Sequence, residues 1–277
     1  MKKYITLILI CLSLAITLFA KPIPFDPISG IVLIDVVLNG SIKAKFGIDT
    51  GADRFYLDRK FAVDNGIEIL QAPLQQKIQG VDGAVNPFSA SISLLDISDN
   101  IKLQNISATV VDFDKLSNGV EPPNGVIGYS ILKNYYVNVD YPNKTIELEK
   151  ETPRFLSGRK FKEIPFSSYQ HLIIVQVVLN DNLTVPMLVD YCASFTTITP
   201  ELAKKLEIPI RDDRKAVLQK VDIDGVQATD VWAYLSDLKE FKQANPRATF
   251  DGIIGSSFLY NFNVTIDYTN KKIYIRD

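Results

Sequence analysis

Phe46-Gly47-Ile48-Asp49-Thr50-Gly51-Ala52 closes an apolar run that begins at Ala44, and an altered copy returns as Met187-Leu188-Val189-Asp190-Tyr191-Cys192-Ala193. A lone acidic tetrapeptide carries little, because Asp is common at turns. Here the surroundings repeat as well. Val36-Val37-Leu38-Asn39 aligns with Val177-Val178-Leu179-Asn180, Asp49 with Asp190 and Ile67 with Ile208, without a gap. Farther on, Gly125-Val126-Ile127-Gly128, Asn134 and Asp140 are answered by Gly252-Ile253-Ile254-Gly255, Asn261 and Asp267. Both copies end in a turn and a strand, Asp140 to Lys144 then Thr145 to Leu148, and Asp267 to Lys271 then Lys272 to Ile275. The period is far longer than a solenoid's and implies two lobes, each carrying one carboxylate.

Within each unit the local signals are those of strands. Ile31 to Leu38, Asn39-Gly40 and Ser41 to Ile48 read as a hairpin, because Asn-Gly supplies the positive dihedrals of a two-residue turn. Leu172 to Leu179, Asn180-Asp181-Asn182 and Leu183 to Val189 repeat it. Helical signals are short: Arg59 to Asn65, Glu201 to Leu206 after Thr199-Pro200, turns at Ser130 to Tyr135 and Ser257 to Asn261, and Ser236 to Ala244. The expected fold is all-β, two pseudo-symmetric barrel-like lobes with a few short helices and a central cleft. The expected division is 28–150 for the first lobe, 151–161 for a linker containing Pro153 and Gly158, and 162–277 for a divergent second lobe.

The composition narrows the function classes. Of 277 residues, 47% are hydrophobic and 22% charged, enough to build a core, and the net charge of −2 lacks the basic footprint of a nucleic-acid binder. Met1-Lys2-Lys3 followed by an apolar run from Ile5 to Ala20 reads as a bacterial-type secretory signal peptide over residues 1–20, with cleavage after Ala20. An uncleaved anchor is the alternative, although the run is short for a span of about 20 residues. Export places the mature protein in the periplasm or outside the cell, free of the membrane once the signal is removed. Cleavage leaves Cys192 as the one cysteine, so no disulfide can form within the mature chain. His171 is the single histidine, which argues against a multi-histidine zinc centre. No metal and no other cofactor is expected.

The duplicated pattern resembles the pepsin and retropepsin superfamily of aspartic peptidases, in the bacterial form that carries two retropepsin-like units in one chain. It rests on an apolar strand, Asp49-Thr50-Gly51-Ala52, the helix-like Asp58 to Asn65, a turn at Gly80-Val81-Asp82-Gly83, and Val126-Ile127-Gly128. The second unit offers Asp190, the helix-like Pro200 to Leu206, a turn at Asp222 to Gly225, and Ile253-Ile254-Gly255. The resemblance implies acid-protease-like β-barrel lobes, Asp49 and Asp190 as the catalytic pair, Gly80 to Gly83 as a flap over substrate, and a peptide or protein substrate. Two carboxyl groups in hydrogen-bond reach can activate water and donate a proton without a metal. Like charges that close share one proton.

The residues after each aspartate support the site. Gly51 permits close approach, Ala52 follows the family pattern, and the resemblance implies that the Thr50 hydroxyl bonds to the partner loop. Tyr191 and Cys192 depart from the pattern in the second unit, so the cross-lobe lock is expected to be lost on one side, and Thr and Gly at these positions would restore it. Cys192 reads as a small buried hydrophobe or as a nucleophile. Gly128 and Gly255 are expected to pack against the aspartate loops. Beside a monomeric endopeptidase stand two alternatives: a peptide-binding pseudo-peptidase, and a homodimer in which Asp49 faces Asp49 and Asp190 is dispensable.

Overall fold

The computed structural model describes residues 21–28, 30–70, 78–79, 84–115, 122–151, 153, 156, 160–210 and 213–276. The expected signal segment 1–20 and the expected flap tip Gly80 to Gly83 lie outside the described residues. Strands dominate, and the helices are single turns or little more.

Each lobe is a sheet closed on itself. In the first, Ile31–Leu38 pairs antiparallel with Ile42–Ile48, which runs parallel to Gly125–Ile127. Gly125–Ile127 pairs antiparallel with Tyr56–Asp58, and that strand runs parallel to Ile101–Val111. Phe88–Ser98 pairs with Ile101–Val111 and returns to Val37 and Leu38, closing the ring. The second lobe repeats this order with Leu172–Leu179, Leu183–Val189, Gly252–Ile254, Thr196–Ile198, Val226–Leu235 and Lys215–Ile223. Closure leaves few free edges and places alternate side chains inside. Phe46, Leu57 and Ile92 fill the first interior, and Val175, Met187 and Leu218 fill the second.

The turns follow their chemistry. Asn39 and Gly40 take φ of 50° and 81°, and Asn180 and Asp181 take 52° and 54°. Such left-handed pairs match strand twist in a tight hairpin. Arg59–Asp64 is capped by Asp58, whose side chain accepts from the Phe61 amide at 2.8 Å. Pro200–Lys205 is capped by Thr199, which accepts from the Leu202 amide at 3.2 Å, with Pro200 in the first turn. Proline fits there because its missing N–H has no intrahelical partner.

Asp222 to Gly225 corrects one expectation. Its register, Val178 opposite Asp222 and Leu179 opposite Val221, matches Val37 opposite Asp96 and Leu38 opposite Leu95 in the first lobe. The turn is therefore the counterpart of Asp99-Asn100, the other hairpin tip, and not of the flap. The second lobe passes from its helix Pro200–Lys205 to Lys215 in fewer residues than the first takes from Arg59–Asp64 to Phe88. In the first lobe Ile78–Gln79 and Ala84–Val85, on either side of the expected flap tip, pair antiparallel with each other.

A separate six-stranded sheet joins the lobes, in the order Ile23–Pro24, Thr145–Glu149, Tyr136–Asp140, Asn263–Asp267, Lys272–Arg276 and Lys162–Pro165. At its centre the closing strands of the two repeats pair antiparallel, with Asn138 opposite Thr265 and Asp140 opposite Asn263. Polar pairs are buried along this seam: Thr265 Oγ1 donates to Asn138 Oδ1 at 2.9 Å, and Asn263 Nδ2 donates to Asp140 Oδ2 at 2.7 Å. Buried polar groups need partners to avoid a desolvation cost, so these pairs favour a single register. Val137, Val139, Val264 and Ile266 join the seam to the cores of both lobes.

Candidate active site

Each aspartate sits where an apolar strand ends against the short strand before the repeated glycine. The Asp49 amide donates to the Ile127 carbonyl at 3.1 Å, and the Asp190 amide to Ile254 at 3.0 Å. The following loops rest on Gly128 and Gly255. A Cβ at Gly128 would lie 2.6 Å from the Ala52 carbonyl oxygen, and one at Gly255 would lie 2.7 Å from that of Ala193. Neither distance is tolerable for a side chain against backbone, so the two glycines are required for the loops to sit this low. The next amides complete the seat, Tyr129 to the Ala52 carbonyl at 2.9 Å and Ser256 to Ala193 at 2.8 Å.

The two loops meet face to face. A Cβ added to Gly51 would stand 2.8 Å from Asp190 Oδ2 and 3.3 Å from Asp49 Oδ1, so both carboxyl groups converge over this glycine. The carboxyl groups are within hydrogen-bond reach of each other. Asp49 Oδ1 accepts from the Gly51 amide at 2.7 Å and the Ala52 amide at 2.9 Å. Asp190 Oδ1 accepts from the Cys192 amide at 2.8 Å. Burial raises the Asp49 carboxyl well above the usual carboxylate range, and the charge of Asp190 raises it further. Burial also raises Asp190, and the Cys192 amide partly offsets this. A pair so placed holds one proton in common.

Thr50 is fully buried and ties the loops together. Its hydroxyl donates to the Val189 carbonyl at 2.9 Å and accepts from the Tyr191 amide at 3.1 Å. The reciprocal tie is missing, as the sequence leads one to expect. Tyr191 turns away into the core, where its hydroxyl donates to the Val264 carbonyl at 3.1 Å and its ring meets Tyr141 edge-on at 6.1 Å. The second loop is thereby anchored to the sheet that joins the lobes.

Cys192 occupies the position equivalent to Gly51. Its sulfur lies beside Gly47, which stands where the second lobe has Leu188, and a Cβ on Gly47 would meet Cys192 Sγ at 3.6 Å, an ordinary contact. Burial pushes the thiol well above its ordinary range, and the charges of Asp49 and Asp190 push it in the same direction. Cys192 is half-buried, and its thiol in the protonated form is a poor nucleophile.

Three residues near the site carry no motif that the sequence reading singled out. His171 Nε2 lies 2.9 Å from the Gly51 carbonyl oxygen. Ser256 Oγ donates to the Gly30 carbonyl. Gly30, at φ +87°, packs so tightly that a Cβ would come within 2.9 Å of Ser194 Cα. The ungapped alignment that pairs Asp49 with Asp190 also pairs Gly30 with His171, and each reaches into the other lobe's loop. That coincidence was the available signal. Among the described residues no group of three or more His, Cys, Asp or Glu side chains is placed to hold a metal ion.

No curated protein matches the chain. The family described as aspartyl protease matches it twice, over residues 34–131 and 175–258, one stretch in each lobe. Together these stretches cover more than half of the sequence and contain both aspartates, and the chain belongs to the aspartyl protease family.

Proposed function

We propose that the protein is an exported aspartic endopeptidase that hydrolyses peptide bonds with a water activated by Asp49 and Asp190. The observation that carries this reading is the convergence of the two carboxyl groups over Gly51, with burial raising both above the usual carboxylate range. In the singly protonated pair the ionised carboxylate draws a proton from water. The protonated one hydrogen-bonds the scissile carbonyl. The attack forms a C–O bond while the protonated carboxyl gives its proton to the carbonyl oxygen, leaving a tetrahedral diol. As the C–N bond breaks, the carboxyl that took the proton of water protonates the leaving amine and the other takes a proton back from the diol, which restores the singly protonated pair. The amides of Gly51, Ala52 and Cys192 hold the carboxylates in place during these transfers.

The substrate is a peptide or protein segment lying in the cleft between the lobes, covered by the strand pair Ile78–Gln79 and Ala84–Val85. Residues 1–20 direct export and are removed after Ala20. N-terminal sequencing of the protein recovered from the periplasm or medium tests this, and a chain retaining Met1 would overturn it.

Cleavage of a diverse peptide pool from acid to neutral pH, by wild type, Asp49→Asn and Asp190→Asn, tests the activity. Loss in both variants is the expected result. Loss in Asp49→Asn alone would point to paired first lobes in a homodimer. The alternative of another class is a pseudo-peptidase that binds peptides without turnover, with the departures at Tyr191 and Cys192 as its ground. Binding without cleavage by wild type would establish it instead.

A further inference from the structure

We infer that His171 is a positioning residue of the aspartate site, supplying from the second lobe the cross-lobe hydrogen bond that Tyr191 has given up. The inference rests on the proposed peptidase site, and its consequence for the loop can be read without turnover.

The geometry starts with Gly51. A carbonyl oxygen only accepts, so the 2.9 Å contact with His171 Nε2 requires a proton on that nitrogen. The peptide linking Gly51 to Ala52 is trans, and its planarity makes the C=O and the N–H point in opposite directions. His171 grips the oxygen of this unit on one side. On the other side the Ala52 N–H donates to Asp49 Oδ1 at 2.9 Å. Fixing one end of a rigid plane fixes the other, so the imidazole orients a donor to the aspartate without touching it. A hydrogen bond at the carbonyl also polarises the peptide and strengthens its N–H as a donor, on the order of 10–30% per bond.

The balance of ties supports the assignment. Thr50 anchors the first loop to Val189 and Tyr191 of the second. The Tyr191 hydroxyl is committed to Val264, so residue 191 offers the first loop nothing in return through its side chain. His171, at the head of Leu172–Leu179, is a second-lobe side chain that hydrogen-bonds a backbone carbonyl of the first loop. Its pseudo-symmetric counterpart Gly30 has no side chain and is held by Ser256 Oγ. The ring is steadied by Tyr129, with centroids 6.4 Å apart, and it faces Asp53 and Arg54. Burial holds the imidazole below its ordinary titration range, so it is neutral at pH 7, with Nε2 carrying its one proton.

His171→Leu removes the donor and keeps bulk, and His171→Gln returns an N–H donor without the ring. Residue-resolved amide exchange of the unliganded protein at pH 7, with kcat and KM on a cleaved peptide, decides the matter. Expected for His171→Leu are exchange of the Ala52 amide about tenfold faster and kcat about tenfold lower, the loss of roughly one hydrogen bond, with KM within about twofold. His171→Gln should recover most of both. Unchanged exchange at Ala52 in His171→Leu would overturn the inference, as would a Gln variant as impaired as Leu, since the ring's packing and not its N–H would then matter. If wild type cleaves nothing, the peptidase reading fails by itself, and the exchange comparison still decides whether His171 holds the loop.

Discussion

The Thr50 hydroxyl crosses between the lobes and serves two groups of the loop that carries Tyr191, donating to the Val189 carbonyl at 2.9 Å and accepting from the Tyr191 amide at 3.1 Å. Thr50→Val keeps the shape and strands both partners in a fully buried place. Leaving buried backbone groups unpaired costs about 1–3 kcal/mol each. The expected result is a loss of about 3 kcal/mol in urea unfolding. A fall in kcat on the order of a hundredfold should accompany it, from a small misplacement of the carboxyl pair. A stable variant with full activity would show that the seam between the lobes sets the register without this hydroxyl.

Tyr191 behaves differently from what the family pattern leads one to expect. Its hydroxyl bonds Val264, away from the carboxylates, and its ring is fully buried. Tyr191→Phe should cost about 1 kcal/mol of stability and leave kcat within about twofold. Tyr191→Thr, which restores the expected residue, should lose about 3–5 kcal/mol through the cavity left by the ring. Thermal melts of the two variants, beside rates at 25 °C, separate a structural tyrosine from a catalytic one. Placing Thr and Gly at 191 and 192 to restore the lock therefore carries this stability cost, because the core is built around the tyrosine.

Gly47 and Cys192 meet across the lobes, where a Cβ at residue 47 would already stand in van der Waals contact with the sulfur and a longer side chain would have to displace it. Gly47→Leu, which copies Leu188, should therefore destabilise by about 1–3 kcal/mol through overpacking. Combining it with Cys192→Gly should recover part of that loss. A double-mutant cycle in urea checks the coupling, and strict additivity would show that the two residues do not share the space.

The raised carboxyls give a pH dependence with a definite sign. A carboxyl that holds its proton more tightly when folded costs nothing below the unfolded value of 3.8, and its cost grows as pH climbs through the folded value. Asp49→Asn removes the ionisation. The variant should be more stable than wild type at pH 7, and this advantage should shrink toward pH 3. Urea midpoints at both pH values test this, and an advantage that does not change with pH would mean the pair is not proton-linked.

The duplication was legible because both copies keep residues whose chemistry leaves little choice. Asn39-Gly40 forces a tight turn, Gly128 and Gly255 are the residues the loop carbonyls permit, and Asp58 and Thr199 cap their helices. Alternating apolar runs do the rest, since each side chain's face follows from its place in the strand. The Asp222 to Gly225 turn was misplaced because a hairpin tip looks the same wherever it falls. The pairing partner of its strands, far away in sequence, gives it its identity.

By itself the sequence determined the repeat, the strand-rich lobes and the two aspartates, all of which follow from local periodicity and turn chemistry. Only the tertiary structure decided that Thr50 holds the second loop, that Tyr191 turns to Val264, that Cys192 Sγ fits beside Gly47, and that His171 grips Gly51. The reason is physical. A hydrogen bond or a filled gap between residues more than seventy positions apart depends on how two barrels and the sheet between them dock, and docking is set by the summed burial along the seam, which no short stretch of chain encodes.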